Sequence, residues 1–141
     1  MSMKVAIVGS RPPEWANGLR SMIFMSRLMT AMDVALKELP VEDFTEVVSG
    51  GARGADKFGE WWADQNGIPT TGNRFYVTQD EWKNNPKGAG FERNTRMAEY
   101  ADIAIALWDG VSGGTADMIE KMRERNKRVI VVPIDFDDPI K

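Results

Sequence analysis

Most of the residues able to do chemistry lie in three small-residue stretches, each directly after an apolar run. They are Gly9-Ser10-Arg11, Gly50-Gly51-Ala52-Arg53-Gly54, and Asp109-Gly110-Val111-Ser112-Gly113-Gly114-Thr115. Glycine lets a backbone approach a ligand closely and adopt positive φ. A helix starting after such a turn presents unpaired N–H groups and a partial positive charge, a setting suited to phosphate. Ser10, Ser112 and Thr115 add hydroxyl donors, and Arg11 or Arg53 can supply charge. One such turn is often only a tight connection. Three of them at one edge of a parallel sheet form a ligand-binding rim. Neither GxGxxG nor GxxxxGK[ST] occurs, so the motifs are not those of an ordinary dinucleotide site or a Walker NTPase.

Composition narrows the chemistry further. The chain has 141 residues and no cysteine, so disulfides, thiolate nucleophiles and cysteine-held zinc are excluded. It has no histidine either, which removes the commonest general base. Proton transfer would fall to Asp, Glu, Lys, Tyr, water or the ligand, and neither a metal nor a cofactor is expected. With 43% hydrophobic and 28% charged residues the balance is that of a globular chain, read as one domain over 1–141. The net charge of −3 gives no general attraction to a phosphate backbone, which argues against nucleic acid as a partner. No apolar run reaches the roughly 20 residues of a membrane span, and MSMKVAIVGS is too short in its apolar part for a signal peptide. A cytoplasmic protein is the expectation.

The elements that must position these residues alternate regularly. Val5–Val8 reads as a first buried strand, and Ser21 to Leu39 as a helix stopped by Pro40. That helix is apolar around most of its circumference (Met22, Ile23, Met25, Met29, Met32), which favours a homo-oligomer paired through helix 21–39 over a Met-filled monomeric core. Phe44 to Ser49 is a second strand, and a helix from Ala55 closes at Asn66-Gly67. Arg74 to Val77 reads as a weaker strand and Thr78 to Gly90 as a polar loop able to close over a ligand. A helix from Glu92 to Tyr100 leads to the strand Ile103 to Trp108. The third glycine-rich turn opens a helix to about Lys127, Val129 to Val132 is the last strand, and the acidic tail PIDFDDPIK is an edge or a cover. The alternation predicts an α/β protein: a three-layer Rossmann-like fold with a mainly parallel sheet.

The ordered segments VAIVGSRP, VVSGGARGAD, EWKNNPKGAGFERNTRMAEYAD and WDGVSGGTADMI resemble the YspA-like family of the SLOG superfamily, from about Lys4 to Val132. These Rossmann-like domains are related to Lonely Guy phosphoribohydrolases and to the DNA-processing protein DprA/Smf. The resemblance implies binding of a nucleotide or nucleotide-derived small molecule, including NAD- and ADP-ribose-type signals. Carried onto this chain, it assigns ligand contacts to Gly9, Ser10 and Arg11, to Gly50, Gly51, Ala52, Gly54 and Asp56, to Arg93 and Asn94, and to Asp109, Gly110, Ser112, Gly114 and Thr115. Arg93 can offer a planar fork to phosphate. Asn94 can donate and accept towards a ribose or base.

One departure bears on activity. Lonely Guy enzymes carry PGGxGTxxE, and here Met118 occupies the position of that glutamate. Catalysis would fall to Asp56, Arg93, Asp117 or Glu120. Yet Asp56 and Asp117 also suit helix N-termini, and Glu120 a solvated face. Three functions compete: a sensor, carrier or sequestering protein for a nucleotide derivative; a hydrolase of its N-glycosidic or phosphate bond; and, against the acidic balance, single-stranded DNA binding. Trp15 and Trp82 in loops are either base-stacking platforms or simple lids, Trp61 and Trp62 are expected in the core or an interface, and Trp108 in the core.

Overall fold

The computed structural model describes residues 2–139; Met1 and, in the tail, Ile140 and Lys141 lie outside the described residues. Four parallel strands form one sheet in the order β2-β1-β3-β4. They are β1 (Met3–Gly9), β2 (Phe44–Val48), β3 (Ile103–Trp108) and β4 (Arg128–Pro133). Parallel neighbours need crossovers. These are supplied by α1 (Ser21–Leu36), by α2 (Ala55–Gln65), α3 (Gln79–Asn84) and α4 (Ala89–Tyr100) together, and by α5 (Gly113–Glu124). The chain thus has the three-layer Rossmann-like fold that the alternation predicts, and the strand order reverses between β1 and β3.

Register sorts the side chains. Ile7 pairs with Ile105 and Ile105 with Ile130, so one face of the sheet carries large branched residues. There they bury Phe24, Leu28 and Met32 of α1 with Phe58 and Trp62 of α2. Ala6 pairs with Ala104 and Val8 with Ala106, which leaves the opposite face shallow. That space is filled by Met97 of α4 and by Met118 and Met122 of α5. Burying each such side chain contributes about 1.5–3 kcal/mol. Lys127 closes this layer by donating to the carbonyls of Ala98, Glu99 and Ala101 at 2.8, 2.9 and 2.7 Å, satisfying the end of α4.

Several boundaries differ from the sequence expectation. α1 ends at Leu36, and Lys37–Leu39 continue as turns, with Leu39 N–H donating to Ala35 O before extended Pro40. Arg74–Val77 is not a strand: the only pairing nearby is a single bridge between Val47 and Thr70, while Phe75 turns inward against the Tyr100 ring. The 78–90 segment is not all loop, because Thr78 and Glu81 form a reciprocal capping box that starts α3. α4 begins at Ala89 instead of Glu92, and α5 stops at Glu124. The tail is a cover. Phe136 packs edge-on against Phe24 at 5.4 Å, its carbonyl accepts from Trp15 Nε1 at 2.9 Å, and Arg27 Nη1 donates to Asp135 O and Asp137 O. Trp15 is therefore packed, Trp62 is core, and Trp61 and Trp82 are exposed. No helix among the described residues is long and apolar enough to cross a membrane.

Candidate functional site

The parallel sheet brings the loops after β1, β2 and β3 to one edge, and they are tied to one another there. Ser10 N–H donates to Leu107 O at 3.0 Å, and Asp109 N–H donates to Ser10 Oγ at 3.0 Å. The Ser10 and Ser112 hydroxyls lie 3.2 Å apart. Ala55 N–H donates to Ser10 O at 3.2 Å, so the first loop also anchors α2. Two glycines make this crossing possible. Gly9 has φ +157 and a Cβ there would sit 2.0 Å from Leu107 O; Gly54 has φ +89 and a Cβ there would meet Ser10 O at 2.4 Å. Ser10 is buried outside the cleft lining, and its hydroxyl accepts from Asp109 N–H as a tie between the first and third loops. Gly50, Gly51, Gly54 and Gly110 likewise stand outside the cleft lining.

The expectation that amides of all three loops point at a ligand also needs correction. In the second loop, Gly51 N–H donates to Ser49 Oγ (3.1 Å) and Ala52 N–H to Asp56 Oδ2 (3.3 Å). In the third, Val111 and Ser112 N–H donate to Asp109 Oδ1 at 2.9 and 2.8 Å. Burial pushes the Asp109 carboxyl up, but those amides and the Ser10 and Ser112 hydroxyls outweigh it and hold the group below its ordinary pKa.

What stays available is the first turn of α5. Its N-cap, Ser112, makes no side-chain cap because the hydroxyl turns back to Ser10 and Asp109. Gly113 and Gly114 have nothing within 4 Å of where a Cβ would lie, and neither has positive φ, so neither packing nor backbone conformation calls for glycine there. Thr115 is 4% exposed and lines the cleft, and its hydroxyl has no hydrogen-bond partner among the described residues. This helix end opens onto a cavity of about 480 Å³. Arg11, Ala52, Asp56, Arg93 and Asp109 line its polar side, with Gly9 at the end of β1. Val8, Met97 and Met118 form the floor, and Pro12, Pro13 and Phe136 form the apolar wall.

Arg93 and Asp56 dominate the electrostatics. Arg93 Nη1 donates to Gly50 O at 2.7 Å and its Nε to Asn94 Oδ1 at 3.1 Å, leaving the rest of its fork uncommitted. Burial lowers the pKa of its guanidinium against the raising influence of Asp56. Asp56, 6% exposed, is pushed up by burial to about 6, despite the opposing Arg93 charge and the Ala52 and Gly50 amides, with Glu60 one turn along raising it further. A carboxyl whose pKa is higher folded than unfolded favours the folded chain at low pH, and that contribution is lost as the pH rises through 6.

The remaining candidates are less free. Asn94 lines the cleft, but its Nδ2 donates to Gly114 O (3.1 Å) and Asp117 Oδ2 (3.0 Å), so its amide positions α5 and Arg93 and is not open to a ribose. Asp117 is paired with Lys121 at 2.7 Å. Glu120 is exposed beside Arg123, Glu124 and Trp108, away from the cleft. Arg53 is exposed on its turn. Sequence reasoning missed the brace under the second loop, where Ser49 Oγ and Tyr76 Oη both donate to Glu60 Oε2 at 2.6 Å and Lys57 Nζ lies 3.0 Å from Tyr76 Oη. The i to i+3 spacing of Lys57 and Glu60 was the available signal. It also missed Phe136 as a wall.

No family model matches the chain, and no curated protein does. Among solved structures, the X-ray structure of DNA processing protein A (DprA) from Streptococcus pneumoniae is similar, with a TM-score of 0.60 and 20% identity. That likeness shows a shared Rossmann-like fold. The match covers 97% of this chain and 52% of that one, so the chain spans about half the length of that DprA chain. The expectation against nucleic acid gains no support from this likeness.

Proposed function

We propose that the cleft binds the phosphate end of a nucleotide or nucleotide-derived small molecule, and that the chain, a single SLOG-like, YspA-like domain over 1–141, senses, carries or sequesters it in the cytoplasm. The observation that carries this reading is the first turn of α5, where an N-cap hydroxyl turned away, two glycines with no steric reason and an unpartnered Thr115 coincide. An anion there is served by helix N–H groups, by the free part of the Arg93 fork and by Arg11. The Pro12, Pro13 and Phe136 wall suits a ring. Turnover has thinner support, because Met118 fills the glutamate position, Asp117 is paired and Glu120 lies elsewhere. Isothermal titration of the intact protein with AMP, ADP-ribose, NAD and a cyclic ADP-ribose tests the reading. Saturable binding of at least one is expected; none at millimolar concentration overturns it.

A second reading is a nucleic-acid strand whose phosphate takes the same place, favoured by the likeness to a DNA-processing protein and by exposed Trp82 and Phe91. Salt-sensitive retardation of an oligonucleotide would move the proposal to it. Self-association through α1 belongs to the main reading: Met22 and Met25 are exposed beside an apolar groove of about 670 Å³ between α1 and α2. Sedimentation at rising concentration is expected to show a dimer that Met22→Glu dissociates; a wild-type monomer throughout removes it.

A further inference from the structure

We propose that the cleft takes up its anionic ligand together with one proton, held on the Asp56 carboxyl. The proposal rests on the anion reading above and adds its regulation. Asp56 sits in the first turn of α2, almost wholly buried, and lines the cleft. The point where a Gly50 Cβ would lie is 2.5 Å from Arg93 Nη1 and 3.0 Å from Asp56 Oδ2, so guanidinium and carboxyl face each other across that space. One guanidinium therefore serves both the carboxylate and any anion seated at α5. An arriving anion draws on Arg93 and sets a second negative charge against a carboxylate with little water to screen it. Two like charges so placed do not both stay ionised. Protonated Asp56 removes the repulsion and gains an O–H that can donate.

The surrounding charges leave the proton few other places. On α2, Glu60 adds negative charge but is held by Ser49 and Tyr76 and stands beside Lys57. From α4 come Arg93 and Arg96, and from the loop after β1 Arg11, all positive. In the loop after β3, Asp109 is kept ionised by backbone amides, and on α5 Asp117 is paired with Lys121. In the free protein Asp56 titrates at about 6.

The test uses ADP-ribose, whose diphosphate does not titrate between about pH 5 and 8, in calorimetry at pH 7 in buffers of different ionisation enthalpy. Uptake approaching one proton per ligand is expected, with affinity level below pH 6 and falling up to about tenfold per pH unit above it. Asp56→Asn is expected to lose both the uptake and the slope and to bind more tightly than the wild type at pH 8, with thermal melting confirming that it folds. Binding without proton uptake, or an Asp56→Asn variant that keeps the slope, overturns this proposal alone. No binding of ADP-ribose, AMP or sulfate at any pH overturns it together with the anion reading.

Discussion

Gly9→Ala is expected to lower the stability of the chain by about 4 kcal/mol or more, enough to leave little folded protein in a domain of ordinary stability. The added methyl meets Leu107 O at 2.0 Å and Ala55 Cβ at 2.8 Å, in a backbone conformation that side chains rarely adopt. Leu107 O is a main-chain atom of a central strand, so no rotamer change can clear it. The end of the β1–β3 ladder must open to clear Leu107 O and α2 must give at Ala55, and both take the Ser10 ties with them. Urea unfolding reads the effect directly, and an unchanged midpoint would contradict the packing described for this loop. Gly113→Ala is the matched control. Its methyl finds open space, so stability should hold while anion binding falls.

The second large effect is expected at Arg93. Arg93→Ala should weaken binding of a phosphorylated ligand by roughly 10- to 150-fold, the range of about 1.5–3 kcal/mol for a hydrogen bond to a charged group. Arg93→Lys should recover only part of this, because an ammonium keeps the charge without the planar fork. The same change should make stability depend more steeply on pH. Without the guanidinium, the largest of the influences that lower the Asp56 pKa is gone, so the buried carboxylate is harder to ionise. Arg93→Ala should therefore lose more stability at pH 8 than at pH 5, and equal losses at both would detach Arg93 from Asp56.

The strands and the rim were legible because their signals are local. Val5–Val8 and Ile103–Trp108 are apolar runs bounded by turns, and a parallel sheet places their ends together whatever the details. α3 was missed although its mark, Thr78 with Glu81 three residues on, was in view, since six residues give no period to read. Arg74–Val77 misled because Phe75 and Tyr76 suit a strand, whereas their burial against Tyr100 and over Gly51 is a tertiary matter. At the site, residue types were readable but their commitments were not. That Ser49, Asp56 and Asp109 consume the loops' own N–H groups depends on loop geometry, and only Asp109, an Asx-turn residue two before Val111, carried a warning in its spacing. Phe136 was unreadable for the opposite reason, because it reaches the cleft from the far end of the sequence.

The shallow, alanine-bearing face of the sheet has a consequence for selectivity. Because Ala6, Ala104 and Ala106 leave room there, two thioether side chains, Met97 and Met118, form the floor beneath the cleft. Unbranched and polarisable, they can reshape around guests of different outline at small energetic cost. The charged end, by contrast, is fixed by Asn94 gripping both Arg93 and α5. On the proposed anion reading, a site stiff at its electrostatic pole and pliant at its oily one selects strictly for the anionic head and leniently for the tail attached to it.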